Sequence, residues 1–275
     1  NHQSMLDAAA FMAMSPKTIL ISNEKVSCNP VIRYIYKWNG FITLAGKDSI
    51  DDELMKKYIK RGYSFVIFPE GKRNDNSSIC RFHKGAFLLA ERYQLDILPV
   101  IIHGLNVVLP RNSFQVFPGN ITIKVYMRIS VEGRQSYNEL TSLVYDFYKC
   151  EYKALTRELE TAVYYVPLVK DRYRYKGVDC YRNVCKNLKH NDNYTKWIDT
   201  EDVHPVVIVK NSGYGEFALL YALVHRSTQV FVFEQDENIA SMLTYCAKDI
   251  VDNLEVIDNM DIDKEKYPDA KVFSL

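Results

Sequence analysis

A histidine and an aspartate stand five positions apart at the start of the chain, as His2 and Asp7. Imidazole titrates near neutral pH, so histidine is the natural side chain to take a proton from a hydroxyl group. A carboxylate on the far ring nitrogen would fix the imidazole tautomer and stabilise the imidazolium. Because positions five apart do not share a face of a regular helix, we expect His2 to precede a helix and Asp7 to lie in its first turns. The pair could activate an alcohol for attack on a carbonyl.

A second polar cluster follows an apolar stretch at residues 64–68 and contains Glu70, Gly71, Lys72 and Arg73. The stretch is typical of a buried strand, and open α/β sheets bind ligands where their strands end. Arginine offers a planar fork to a phosphate group and lysine a point charge. The cluster therefore predicts a binding site for a phosphate-bearing substrate, on a turn made by Pro69 and Gly71.

In their types and order, the two clusters resemble the first and third sequence blocks of the glycerolipid acyltransferases, which acylate lysophosphatidic acid or glycerol 3-phosphate. Gly46-Lys47 stands in the stretch of the second block, and Leu98-Pro99-Val100 matches the fourth. The resemblance extends over residues 1–130.

The resemblance implies an O-acyltransferase in which His2 and Asp7 form the general-base pair. It implies acceptor and phosphate contacts from Lys47, Glu70, Gly71, Lys72 and Arg73, and an acyl site lined by Pro99. The co-substrates would be an acyl-CoA or acyl carrier protein thioester and a lysolipid acceptor, with no required cofactor and no metal. We interpret His83, between the third and fourth blocks, as a packing or surface residue.

Alternating helical and strand patterns predict an α/β fold with a mostly parallel sheet in the front half. The expected helices there are residues 4–14, 30–37, 49–61 and 84–93, and the expected strands are 18–22, 41–44, 64–68, 97–103 and 121–129. One long helix is expected over residues 138–165. We expect an acyltransferase-like domain at 1–135, a helical connector at 136–200 and a smaller α/β unit at 201–275.

The back unit opens with an apolar strand, a turn containing Gly213 and Gly215, a helix, and a second strand that ends in Glu234. This order resembles a truncated Rossmann-like methyltransferase, in which the glycine turn and the acid would hold S-adenosylmethionine. Asn211 stands where a third glycine is usual, so a degenerate, structural or docking role is favoured over methyl transfer.

Charge is distributed unevenly along a chain whose formal net charge is +1. Residues 1–134 carry 18 Lys and Arg against 11 Asp and Glu, and residues 199–275 carry 6 against 15. A basic front half suits a phosphate-bearing substrate or an anionic membrane surface. No apolar stretch is long enough to cross a bilayer, so any membrane contact must be peripheral or come from sequence outside this chain. We expect a cytoplasmic location at the inner face of the membrane.

Other functions remain open at the level of sequence. A non-catalytic docking fragment of a larger membrane assembly and a methyltransferase using residues 205–275 are the alternatives to acyl transfer. The chain opens directly on the histidine motif, which suggests a piece of a longer polypeptide. Nucleic-acid binding is not expected, because the basic residues are not paired with aromatic stacking motifs.

Overall fold

Two units, each with its own parallel sheet, divide the chain in a computed structural model. Unit 1 consists of Asn1–Ser113 and Ile121–Ala154, and unit 2 of Phe114–Asn120 and Leu155–Leu275. The structure describes residues 1–23, 42–44, 51–73, 78–110, 115–133, 136–190, 192–210, 212–258 and 267–274. The helix expected at 30–37, Lys47 of the expected acceptor site and Asn211 of the glycine turn lie outside these ranges.

Unit 1 is a mixed α/β unit, as the sequence predicts. Its described strands are β1 (Thr18–Asn23), β2 (Ile42–Leu44), β3 (Ser64–Val66), β4 (Val100–His103) and β5 (Thr122–Val125). Its described helices are α1 (Leu6–Met14), α2 (Asp52–Lys60), α3 (Gly85–Arg92), α4 (Leu105–Val108) and most of α5 (Tyr137–Leu159). The parallel sheet has the order β2-β1-β3, and β4 pairs with β5 in antiparallel fashion.

Helix α2 shows how local sequence sets these elements. The Asp51 side chain accepts a hydrogen bond from the Leu54 N–H at 3.1 Å, which caps the first turn. After the helix, Gly62 adopts a φ of +72°, a left-handed conformation that glycine reaches without steric cost. The helix buries Met55 against Ile19 and Ile21 of β1. This packing supports the central strand of the parallel sheet.

The expected strand at 97–103 is shorter in the structure, where β4 begins at Val100. Ile97 still pairs with Ile129 through an isolated antiparallel bridge, but Pro99 has no N–H to donate to a ladder. The expected strand at 121–129 is reduced in the same way to β5, Thr122–Val125. Proline chemistry therefore explains why the strand pairing is interrupted.

The single long helix expected over residues 138–165 was a wrong prediction. The structure has α5, which ends at Leu159, and α6 (Ala162–Tyr173). Thr161 between them is extended, and its side chain accepts a hydrogen bond from the Tyr164 N–H, so it begins a new helix. The apolar periodicity continues through the break, which is why the pattern alone did not reveal it.

Unit 2 contains α6, α7 (Val178–His190), α8 (Asp192–Thr200), α9 (Glu216–Val224) and α10 (Glu237–Ala247) among its described residues. Its sheet consists of β6 (Val206–Lys210), β7 (Gln229–Phe233), β8 (Leu254–Ile257) and β9 (Lys271–Ser274), all parallel, in the order β8-β7-β6-β9. Counted along unit 2, these strands are the third, second, first and fourth. The same strand order is found in the first part of a dinucleotide-binding sheet. The ligand that such an order would suggest stays a prediction.

Within the described ranges, no helix has both the length and the hydropathy that crossing a membrane requires.

Candidate active site

The His2 and Asp7 side chains meet in unit 1. His2 Nδ1 lies 2.6 Å from Asp7 Oδ2. The Asp7 side chain is fully buried, whereas the His2 side chain is 23% exposed. Because a carboxylate can only accept, Nδ1 is the donor of this hydrogen bond, and in the neutral ring that leaves Nε2 as the unprotonated nitrogen. The ring is thus held at one nitrogen and available at the other.

Asp7 is in the first turn of α1 and reaches back toward the loop that carries His2. Its Oδ2 also accepts hydrogen bonds from the backbone N–H groups of Gln3 at 2.6 Å and Ser4 at 3.0 Å. This is the acid half of a capping box, in which an acid inside the helix satisfies N–H groups that precede it. One carboxylate therefore begins the helix and orients the histidine.

The side chains of Asn1 and Gln3 hold the His2 loop in place through hydrogen bonds to β4, α4 and α5. The Asn1 amide donates to the Ile102 carbonyl and accepts from the Ile102 N–H, both at 2.8 Å. Gln3 accepts from the Leu105 N–H at 3.2 Å and donates to the Tyr152 hydroxyl at 2.8 Å. All four of these bonds join residues about a hundred or more positions apart. The loop is therefore positioned by tertiary structure.

Glu70 holds the same loop from the other side. It is buried, and its two carboxylate oxygens accept from the backbone N–H groups of His2 and Cys80, each at 2.9 Å. Hydrogen bonds from N–H groups to a carboxylate are among the stronger ones in proteins. This geometry joins the two sequence clusters, and it gives Glu70 a positioning role. Its contact with the acceptor stays a prediction.

The Phe68 ring packs directly on the candidate base. The His2 and Phe68 ring centroids are 4.4 Å apart with an interplanar angle of 20°, which is a stacked arrangement. Phe68 also begins the turn that carries the second cluster, because the Gly71 N–H donates to the Phe68 carbonyl at 3.0 Å. Proline at the second position and glycine at the fourth suit such a turn. The turn thus brings the second cluster next to His2.

The cationic residues of the cluster lie on the outer side of this turn. Lys72 is exposed and Arg73 is half-buried. Neither forms an ion pair with another residue in the described part of the chain. Within the described residues neither cation has an acidic partner, and the Glu70 carboxylate is buried and accepts from the backbone.

Pro99 is buried at the start of β4, and its carbonyl accepts from the Tyr126 N–H at 3.0 Å. Leu98 beside it is 52% exposed. The role of Pro99 in an acyl site stays a prediction.

Tyr148 of α5 forms two hydrogen bonds with β4 and should contribute measurably to the stability of the fold. Its hydroxyl accepts from the Val100 N–H at 2.9 Å and donates to the Val100 carbonyl at 3.1 Å. Burial raises the pKa of this phenol to about 12, the Val100 hydrogen bond lowers it and the Glu70 charge raises it. We expect Tyr148→Phe to lower the free energy of unfolding by about 1–3 kcal/mol at neutral pH, because the Val100 N–H is left unpaired.

The effect of Tyr148→Phe should shrink at alkaline pH. In the unfolded chain the phenol ionises near pH 10, while the folded protein keeps its proton until about pH 12. Ionisation thus favours unfolding of the wild type in this window, and phenylalanine removes that term. Urea denaturation of both proteins at pH 7 and pH 11 measures the difference. An equal difference at both pH values would contradict this assignment.

Side chains of unit 2 itself occupy the space next to its glycine turn. Gly213 and Gly215 have φ values of +61° and +83°, and a Cβ on Gly215 would lie 2.5 Å from the Leu243 side chain. The buried Glu216 carboxylate accepts from the Tyr214 N–H at 3.2 Å and the Asn187 amide at 2.7 Å. A buried carboxylate at the start of α9 disfavours a phosphate there by like-charge repulsion.

Glu234 follows β7, as the sequence predicts, and its Oε1 accepts from the Asp236 N–H at 2.8 Å. Gly213, Gly215 and Glu234 thus lie at the expected positions of the strand–turn–helix unit. Their described interactions are those of a structural turn, and S-adenosylmethionine binding stays a prediction.

In the described part of the chain, His, Cys, Asp and Glu side chains form no group of three or more that could hold a metal ion.

Several positioning residues were missed by sequence reasoning. Asn1 and Gln3 flank the histidine, but neither their types nor their spacing indicates a partner near residue 100. Tyr148 and Tyr152 lie on one side of α5, where tyrosine in an apolar stripe is ordinary core composition. One signal was available, because Ser4-x-x-Asp7 is a capping-box pattern.

Comparisons with known proteins find matches in the front part of the chain. A family model described as Acyltransferase matches residues 1–103. A 1-acyl-sn-glycerol-3-phosphate acyltransferase of Cocos nucifera is 26% identical over 162 residues, which are 54% of this chain and 51% of that protein. The beta form of Homo sapiens is 28% identical over 139 residues, 48% of this chain and 50% of that protein. The chain thus spans about half the length of the curated relatives it matches.

The fold also resembles a solved structure. The 1-acyl-sn-glycerophosphate acyltransferase PlsC from Thermotoga maritima superposes with a TM-score of 0.50 at 24% identity. The match covers 57% of this chain and 64% of that one. This likeness concerns the fold.

Proposed function

We propose that the chain moves a fatty acyl group to the hydroxyl of a lysophospholipid-like acceptor such as 1-acylglycerol 3-phosphate, and the match of residues 1–103 to the acyltransferase family model supports this. The single observation that carries this proposal is the His2–Asp7 pair. Its proton-bearing nitrogen is bonded at 2.6 Å to a buried carboxylate, and the ring is partly exposed beside a turn with two cations. The donor is a thioester, either acyl-CoA or acyl carrier protein.

The reaction would proceed by direct attack. His2 Nε2 takes the proton of the acceptor hydroxyl as that oxygen bonds to the thioester carbonyl carbon. Asp7 stabilises the imidazolium that forms. When the tetrahedral intermediate collapses, the carbon–sulfur bond breaks, and the leaving thiolate receives the proton from Nε2. The products are an ester and a free thiol, without an acyl-enzyme or a cofactor.

The acceptor's phosphate would be held by the turn that follows Phe68. Arg73 can form two parallel hydrogen bonds to phosphate oxygens, and Lys72 adds a mobile positive charge. Because Phe68 stacks on His2, the same turn would determine how far the acceptor hydroxyl lies from Nε2. Holding the acceptor in this way raises the reaction rate, because the reacting groups are already oriented when the acceptor is bound.

Release of free thiol tests the proposal and its direct mechanism together. The protein would be mixed with acyl-CoA or acyl carrier protein, with and without lysophosphatidic acid, and the thiol measured with a chromogenic disulfide. We expect thiol release only when the acceptor is present. Stoichiometric release without acceptor would indicate an acyl-enzyme, and no release with any donor would favour the docking role. Binding of S-adenosylmethionine, measured calorimetrically on the full chain, would test the methyltransferase alternative.

We further propose that α1 contacts the inner face of the cytoplasmic membrane. Eight of the nine residues of α1 are apolar. The remaining residue, Asp7, is the one that is buried, so the apolar side chains are all at least partly exposed. Met14 at its end is 49% exposed, and Met5 just before it is 52% exposed. An apolar helix beside the candidate base would enter the interfacial region, where a lysolipid acceptor resides. The excess of Lys and Arg in the front half supports attraction to anionic lipids.

Vesicle co-sedimentation tests this membrane contact. We expect Met14→Glu to weaken binding to vesicles containing anionic phospholipid by about tenfold, because a charged group replaces an inserted apolar one. Met127→Glu is the matched control, since Met127 is 89% exposed and lies outside α1. Equal binding of the two variants would refute contact through α1.

A further inference from the structure

His83 lies against the turn that carries the candidate acceptor-binding residues. Its backbone N–H donates to the Pro69 carbonyl at 2.7 Å. A Cβ built on Gly71 would lie 2.8 Å from His83 Cδ2 and 3.0 Å from His83 Nε2. The imidazole therefore occupies the space that a side chain at position 71 would need. Gly71, with a φ of +67°, is the residue that permits this approach.

The surroundings of His83 are cationic. Lys72 and Arg73 follow Gly71 directly, and Arg81 and Lys84 flank His83, so that these residues form a set we term the basic rim. Arg81, His83 and Lys84 are exposed. No member of the rim forms an ion pair with another described residue. Of the acids closest to the rim in sequence, Glu70 is buried and accepts from two backbone N–H groups, and Asp75 lies outside the described residues.

A packing role alone does not account for this histidine. The residue as a whole is exposed, so it contributes little to the core, and its ring lies close to a glycine at the surface. An imidazole N–H donates a hydrogen bond in either tautomer and in the charged form. A hydrogen-bond donor close to Lys72 and Arg73, which form no ion pair within the described residues, suits an oxyanion with several acceptor oxygens.

We propose that His83 binds the phosphate group of the acyl acceptor together with Arg73 and Lys72, and so helps to select phosphorylated acceptors over neutral ones. The proposal rests on the proposed acyl transfer. Arg73 would supply the planar fork, Lys72 the mobile charge, and His83 a hydrogen-bond donor whose position is fixed by its contact with Gly71. His83 is exposed, in keeping with its interpretation from sequence as a packing or surface residue, and the proposal adds a binding role.

Steady-state kinetics with two acceptors test this role. Lysophosphatidic acid and monoacylglycerol would be compared in neutral detergent micelles, with wild type, His83→Ala and His83→Lys. We expect His83→Ala to raise the KM for lysophosphatidic acid about tenfold with little change in kcat, because one hydrogen bond to a charged group is lost. The KM for monoacylglycerol should change little, and His83→Lys should recover most of the lost affinity. Lys57→Ala, an exposed cation of α2, is the control for net charge.

The outcomes separate the possible failures. No acylation by wild type contradicts the proposed function itself. Acylation by wild type with an unchanged KM in His83→Ala overturns only the role of His83, as does an equal rise for both acceptors. A third arm measures binding to phosphatidylcholine vesicles with and without anionic lipid, in the absence of acceptor. A His83→Ala defect there, without the KM effect in micelles, would assign the residue to membrane charge and overturn the proposal. Failure of His83→Lys to rescue a His83→Ala defect overturns it as well.

Discussion

His2→Ala should lower kcat for acyl transfer by about 10³-fold, within the range that a positioned general base supplies. Nε2 is the atom that would take the acceptor proton, and alanine leaves no group to replace it. The stability of unit 1 should change little, because the His2 ring is partly exposed and its backbone N–H to Glu70 remains. A loss of rate without a loss of fold would identify His2 as chemical rather than structural.

The matched control for this variant is His204→Ala. His204 is a partly exposed histidine of unit 2 that faces Glu201, whereas the candidate site belongs to unit 1. Initial rates with saturating acceptor and thermal unfolding would be measured for both variants. Retention of more than a tenth of the wild-type kcat by His2→Ala would argue against general-base catalysis by this residue.

Glu70→Ala should impair both stability and rate. The change leaves the buried N–H groups of His2 and Cys80 without their acceptor, and we expect a loss of roughly 3 kcal/mol in the free energy of unfolding. We also expect kcat to fall about 10²-fold. The His2 loop would lose its hydrogen bond to Glu70, and a small displacement of a catalytic group lowers the rate strongly. Both effects follow from two hydrogen bonds of 2.9 Å.

Glu70→Gln distinguishes positioning from a direct contact with the acceptor. The amide can accept one N–H but presents its NH₂ to the other, so an intermediate loss of stability and kcat is expected. Denaturant unfolding and the two kinetic constants for lysophosphatidic acid would be measured on the same preparations. A higher acceptor KM with unchanged stability and kcat would instead assign Glu70 to the acceptor, as the sequence resemblance implies.

Local motifs made much of the candidate site predictable. His2 and Asp7 are five positions apart, and a helix start explains how they meet, so the geometry follows from nearby residues. The second cluster follows a strand, and a strand end is a general place for ligands. The fold class was predictable for the same reason, because helix and strand periodicity alternate along the chain.

Long-range partners were not predictable. The bond between Glu70 and the His2 N–H joins residues 68 positions apart, and the link between Asn1 and Ile102 joins residues 101 apart. The approach of His83 to Gly71 depends on the path of the intervening chain, which carries no periodic signal. The sequence therefore predicts which side chains could carry out the chemistry. The long-range hydrogen bonds that position those side chains are visible only in the three-dimensional structure.

The most direct test of the account is mass-spectrometric detection of the acylated product. The chain would be incubated with lysophosphatidic acid and a ¹³C-labelled acyl thioester, on CoA or on acyl carrier protein, beside His2→Ala. The account predicts phosphatidic acid that carries the labelled acyl group in the wild-type reaction and at most a trace with His2→Ala. No labelled product with either donor, or equal product from both proteins, would contradict it.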